Sequence, residues 1–149
     1  METVTGAWGF RAETAVFLED AFQAPGAIGL REGRSFDTGA GVDRKAGGYR
    51  VSGSVLVHHE SYDAGGERTD TSLILSADRT FVRERYEGRL FGVYNPSSRS
   101  TFLRWIASAR LQDNLVLEGS IGWFNGESLD TVGRFGDSDF VYARLKYYF

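Results

Sequence analysis

The chain has 149 residues, a formal net charge of −3 and no cysteine, which excludes disulfides and thiolate metal sites. No apolar run approaches the roughly 18 residues that a membrane-spanning helix needs, so a helical membrane protein is excluded. Charges of both signs are scattered along the chain without a basic stripe, which excludes a nucleic-acid footprint. Glycine is abundant at 19 residues and proline scarce at 2, while 11 Phe, 7 Tyr and 3 Trp enrich the chain in aromatics. Many strands with tight turns and aromatic borders have this balance; a helical bundle does not.

The dominant period is two, and it predicts eight strands in a single domain over 1–149. The first covers about 6–19, with Trp8, Phe10, Ala12, Thr14, Val16 and Leu18 on one face and Arg11 and Glu13 on the other. A long loop of small residues follows through Pro25 and Gly33. The second strand, about 36–44, sets Phe36, Thr38, Ala40 and Val42 against Asp37, Gly39, Gly41 and Asp43. Lys45-Ala46-Gly47-Gly48 makes a tight turn into the third, about 49–61, where Tyr49, Val51, Gly53, Val55 and Val57 oppose Arg50, Ser52, Ser54 and His58. A polar loop leads to the fourth, about 71–81, with Leu73, Leu75 and Ala77 opposite Ser72, Ser76 and Asp78. The fifth, about 86–95, puts Glu87 and Arg89 on the same face as Phe91 and Val93. The sixth, about 101–111, opposes Leu103, Trp105, Ala107 and Ala109 to Arg104, Ser108 and Arg110. The seventh, about 115–125, opposes Leu117, Gly119, Ile121 and Trp123 to Glu118, Ser120 and Gly122. A loop through Gly126, Gly133 and Gly136 precedes the eighth, about 140–149.

Two features separate this pattern from an ordinary β protein. The strands run to about ten residues or more, the length a tilted strand needs to cross a bilayer; globular strands average about five or six. Links after the second, fourth and sixth strands are tight and those after the first, third and seventh are longer, as in membrane barrels with short periplasmic turns, while the link after the fifth breaks the pattern. An even strand number would put both termini on the periplasmic side. The polar faces carry large charges interleaved with Gly and Ser, which suits a narrow lumen better than a solvent-facing sheet. The expected fold is therefore all-β, an antiparallel up-and-down transmembrane β-barrel of eight strands.

Closing eight strands leaves an interior just wide enough for side chains to fill. Neighbouring strands bring Arg104, Glu118 and Arg144 together, with Lys146 on the same face, and closure sets Arg11 and Glu13 of the first strand beside the last. A lumen network of paired charges is expected there, since an unpaired buried charge costs several kcal/mol. Trp8, Tyr49, Tyr86 and Trp123 fall near strand ends and predict aromatic girdles at headgroup level.

His58-His59-Glu60-Ser61 is the one cluster suggestive of catalysis, because His59 and Ser61 share a strand face and a serine nucleophile needs a nearby base. A His-x-Ser pair on a small barrel resembles the outer-membrane lipid A deacylases, but the match covers two residues and no acidic partner is identifiable. Adjacent His58 and His59 point to opposite faces and make a poor metal pair. No cofactor, metal or catalytic residue is expected.

The final "FVYARLKYYF", with Val141, Ala143, Leu145, Tyr147 and Phe149 at alternate positions, resembles the terminal signal read by the outer-membrane assembly machinery. That resemblance implies folding by this machinery in a Gram-negative cell outer membrane, with the lipid bilayer and lipopolysaccharide as surroundings. The segments "WGFRAETAVF", "GAGVDRKAGGYRVSGSVLVHHESY" and "LRWIASARLQDNLVLEGSIGWFNGE" resemble the C-terminal hairpins of a family of large, uncharacterised proteobacterial outer-membrane proteins. That implies a C-terminal piece of a wider barrel, whereas the strand number and length are equally similar to small, self-contained eight-stranded barrels. The functional expectation is an integral, non-enzymatic barrel with an ion-paired lumen or narrow pore. The alternatives are a porin- or transporter-like segment conducting small solutes and a lipid-modifying enzyme.

Overall fold

A computed structural model describes residues 1–22, 31–63, 65–126 and 132–149. They form one antiparallel sheet of nine strands in up-and-down order. The strands are β1 (Glu2–Thr5), β2 (Trp8–Phe22), β3 (Arg31–Ala46), β4 (Tyr49–Tyr62), β5 (Glu67–Phe81), β6 (Tyr86–Asn95), β7 (Ser100–Gln112), β8 (Leu115–Asn125) and β9 (Phe140–Tyr147). Each pairs with its sequence neighbours, so β1 and β9 are the two edges. A 3-10 turn, Gly133–Phe135, is the only helical piece among the described residues.

The ninth strand corrects the expected eight. It is β1, too short at four residues to declare a period of two. It forms because Gly6, at φ 62°, and Ala7 reverse the chain in two residues, which sets Thr5 opposite Trp8 and Thr3 opposite Phe10. The Met1 ammonium donates to the Ala12 carbonyl at 2.7 Å. The amino terminus therefore lies partway up the sheet edge, while Phe149 follows β9 at the tight-turn end.

The other eight strands follow the alternation. β6 and β8 span the expected residues, whereas β2 to β5 extend further at their loop ends. Gly33, expected in a loop, is a buried residue of β3, and that loop falls on 23–30, outside the described residues. Ala64 and residues 127–131, in two further expected loops, also lie outside them. Between β3 and β4 the turn is Gly47 and Gly48, both at positive φ (60° and 80°), as a two-residue hairpin turn requires.

Cα partners in an antiparallel ladder send their side chains to the same face. Following partners from Phe10 gives Val42, Gly53, Leu75, Gly92, Leu103 and Trp123, so the apolar phase is held from β2 to β8. A one-residue slip in any ladder would carry charge onto that face. The opposite face holds most of the charges, and all four buried polar side chains, Ser35, Asn95, Ser100 and Ser120, lie on it.

Among the described residues no second layer covers the apolar face. Leu75 is 65%, Trp105 57%, Ile121 52% and Leu145 61% exposed, and Val132 is the only buried large apolar residue among those described. A globular domain of this length would bury its apolar side chains against another layer.

The ladders are also strongly staggered. The perpendicular path from Trp8, the first residue of β2, runs through Arg44, Val51, Ala77, Leu90, Trp105 and Ile121 to Val141, near the loop end of β9. A line that leaves one edge at the tight-turn end thus arrives at the other edge near the loop end.

Asn95, only 1% exposed, organises the loop-end turn between β6 and β7. Its amide donates to Asp70 on β5, and its carbonyl oxygen accepts from the Ser97 and Ser98 backbone N–H groups at 3.0 and 3.3 Å. Asn95→Ala strips these bonds from a buried site and is expected to destabilise the sheet by about 2 kcal/mol. A urea titration followed by far-ultraviolet circular dichroism checks this; an unchanged midpoint would contradict it.

Candidate functional site

The polar face carries the largest connected group of charged side chains near the β9 edge. Glu118 on β8 is its centre, because β8 pairs with β9 in a register that sets Glu118 opposite Arg144. Glu118 Oε1 accepts from the Arg144 guanidinium at 2.5 Å, and Oε2 accepts from Lys146 Nζ at 2.7 Å. Tyr142 donates its hydroxyl to Glu118 at 3.1 Å and accepts from Arg104 at 2.6 Å. Arg104 also donates through Nε to Ser120 at 3.0 Å. One carboxylate thus gathers two cations directly and a third through a phenol. Of the residues expected in a lumen network, Arg104, Glu118, Arg144 and Lys146 are brought together, and Tyr142 is a member that charge counting missed.

Arg11 and Glu13 are not part of that group. They lie on β2, which the open sheet holds near the opposite edge from β9. Arg11 pairs loosely with Asp43 across the β2–β3 ladder, at 3.9 Å, and Glu13 stands opposite Gly39. Only a closed sheet would bring them beside Arg144 and Lys146.

The polar face also bears a row of aromatic rings. Phe91 meets Phe102 edge-on at 6.1 Å, Phe102 stacks on Phe124 at 4.3 Å, and Phe124 contacts Phe140 at 6.4 Å. The row anchors the segment before β9. Phe135 packs on Phe124 at 5.7 Å, Asp139 accepts from the Phe124 backbone N–H at 2.8 Å, and Val132 is buried. That segment therefore folds over the polar face. Its signal was present in the sequence as Phe102, Phe124 and Phe140 falling out of phase with the apolar positions of their own strands.

At the loop end of the same face, His58 lies between Asp37 on β3 and Glu60 on its own strand. Its Nδ1 lies against Asp37, its Nε2 is 2.9 Å from Glu60, and Tyr62 donates to Glu60 at 2.5 Å. His59 projects to the apolar face, with Nδ1 2.8 Å from Thr69 Oγ1 and Nε2 3.9 Å from Glu67. Both nitrogens of His59 are thus turned to β5, not to Ser61. Among the described residues no cluster of three or more His, Asp or Glu is arranged to hold a metal ion.

The four expected girdle residues share the apolar face, and each is roughly half exposed. Trp8, Tyr49 and Tyr86 stand at the tight-turn end, joined there by Phe81 and Tyr147, while Trp123 and Tyr94 stand toward the loop end. Ala143, Leu145 and Tyr147 project from the edge strand β9 on this face, and Phe149 meets Tyr147 edge-on at 5.1 Å. Comparison of the chain with protein-family models, curated proteins and solved structures gives no match.

Because Glu118 serves two cations and a phenol, its loss differs from the loss of either cation. Glu118→Ala leaves Arg144, Lys146 and Tyr142 without their common acceptor and is expected to destabilise the sheet by about 1–2 kcal/mol. Arg144→Ala leaves Glu118 paired with Lys146 and has the smaller effect. Unfolding midpoints of the two variants check the ranking, and equal losses would contradict it.

Proposed function

We propose that the chain is an integral outer-membrane β-barrel, in which β2 to β9 close into an eight-stranded wall with the apolar face toward lipid and the ion-paired face toward a filled lumen. The single observation that carries this is the uncovered apolar face. One face of a whole sheet exposes Leu75, Leu90, Trp105, Ile121 and Leu145, with no second layer over them among the described residues. Water is a poor neighbour for so continuous an apolar surface, whereas lipid is a good one.

The stagger has the sense that closure needs. The closing register we propose sets Phe149 opposite Trp8, which makes the displacement along β9 eight residues. At about 3.3 Å per residue and about 4.8 Å per strand, that displacement over eight strands tilts them by about 35°. Barrel strands tilt by roughly 35–45°. Tyr86 and Tyr94 bound β6 on the apolar face. Eight residues apart, they are separated by about 27 Å along the strand and about 22 Å along the barrel axis, close to the apolar band of roughly 25 Å in such barrels.

Closure has a local requirement. β9 would run antiparallel to β2, along the edge that β1 occupies from Trp8 to Arg11. β1 must leave that edge for β9 to take it. In the register above Glu13 meets Arg144, giving that carboxylate a cation as it enters the lumen. Arg11 meets Lys146, each already holding a carboxylate, Asp43 and Glu118 respectively. The alternate apolar positions Val141, Ala143, Leu145 and Tyr147 of β9 suit the assembly machinery of the outer membrane as the partner in folding.

The absence of cysteine makes cross-linking a clean test. In lipid vesicles, Phe10→Cys with Tyr147→Cys is expected to form an intramolecular disulfide on oxidation, since facing strand positions lie within bonding reach. Thr3→Cys with Phe10→Cys is expected to cross-link less in vesicles than in their absence. Persistent β1 cross-linking with no β2–β9 bond would defeat closure within one chain. A filled lumen also predicts no sustained openings in planar bilayers; steady conductance would favour a porin-like conduit instead.

A further inference from the structure

We propose that Arg44 and Arg79, on the lipid-facing side of the tight-turn end, bind the phosphodiester of an anionic glycerophospholipid whose acyl chain lies in the groove floored by Gly53. This rests on the membrane reading above and adds a ligand to it.

The two arginines stand out by phase. Arg44 is a Cα partner of Trp8 and Val51, and Arg79 of Tyr49, so both guanidinium-bearing positions lie on the apolar face, not among the charges opposite. Both are exposed. Among the described residues neither pairs with a carboxylate. Each instead rests on aromatic rings: Arg44 is 5.1 Å from the Trp8 ring centroid, and Arg79 is 4.2 Å from Tyr49 and 4.7 Å from Phe81. Arg79 also donates to the Tyr49 hydroxyl. Stacking fixes the plane of a guanidinium and leaves its outward N–H groups free. Two such groups flanking Tyr49 across β4 present planar donors at the depth of the aromatic girdle, where lipid phosphates lie. A phosphodiester is the planar-fork partner that satisfies them without a protein carboxylate.

The surface beside them has room for a chain. A groove of about 480 Å³ starts between Arg44 and Tyr49 and is lined further up by Val51, Gly53 and Leu75. A second of about 470 Å³ shares Gly53 and Leu75 and continues along the sheet to Val55 and Leu73. Gly53 opens both, since a side chain there would press on Leu75, 3.3 Å from where its Cβ would stand. The cationic end and the apolar trough are therefore aligned with a headgroup and its tail. The tight-turn end selects glycerophospholipid over lipopolysaccharide, because short turns mark the periplasmic side of such barrels.

The test uses the full chain in vesicles of phosphatidylcholine with phosphatidylglycerol, extracted gently and weighed intact by mass spectrometry. One phosphatidylglycerol is expected to be retained over phosphatidylcholine by about tenfold. Arg44→Gln with Arg79→Gln should abolish that preference, and Arg44→Lys with Arg79→Lys should restore part of it. Arg110→Gln, a charge at the same end but on the polar face, should leave it intact. Gly53→Leu should lower retention of long-chain phosphatidylglycerol and spare a dihexanoyl analogue. An unchanged preference in the double glutamine variant overturns the site, as does stronger retention of lipid A from vesicles that also contain it. A chain that fails to float with vesicles of any composition overturns the membrane reading as well, whereas flotation without selectivity overturns the lipid site alone.

Discussion

Backbone hydrogen bonding between consecutive strands holds this molecule together, and everything else is arranged around it. A globular domain gains most of its stability by burying apolar side chains between layers. Here the described residues make one layer, and Val132 is the only large apolar side chain they bury. The ladders from β2 to β9 must therefore stay in register on their own, with two irregularities, one between Phe17 and Asp20 and one between Arg110 and Gln112. Register in turn decides which side chains meet. Glu118 reaches Arg144 because the β8–β9 ladder sets them opposite, and Arg44 reaches Trp8 because the β2–β3 ladder does.

The two faces then acquire different chemistry from the same alternation. On one, large apolar side chains alternate with glycines such as Gly53 and Gly92, leaving shallow grooves between ridges. On the other, a carboxylate gathers cations, and phenylalanines dock the segment before β9. In the proposed barrel, lipid covers the first face and makes unpaired charge on the second costly. Tyr142 joins Arg104 to Glu118 by accepting from the one and donating to the other.

The shared face of Trp8, Tyr49, Tyr86 and Trp123 and the Glu118 cluster were legible in the sequence because a strand has only two faces. Parity alone puts Trp8, Tyr49 and Trp123 together and sets Arg104, Glu118 and Arg144 against them. The same parity marks Arg44 and Arg79 as cations on the apolar face, and Phe102 and Phe124 as rings on the polar one; these signals were present but outweighed by the commoner pattern. β1 was hidden for a different reason. Four residues carry too little alternation to recognise, and only the turn at Gly6 announces it.

Period, parity and turn chemistry are local properties, so the sequence by itself determined that the chain is all-β, where eight of its strands lie, and which residues share a face. The tertiary structure decided what depends on long-range pairing: that β1 takes the edge of β2, that Arg11 and Glu13 stand across the sheet from Arg144 and Lys146, and that His59 turns to Thr69. It also decided the stagger, because each ladder adds its own offset and only their accumulation carries Trp8 to the level of Val141. No single strand contains that quantity, and it is the one on which the proposed closure depends.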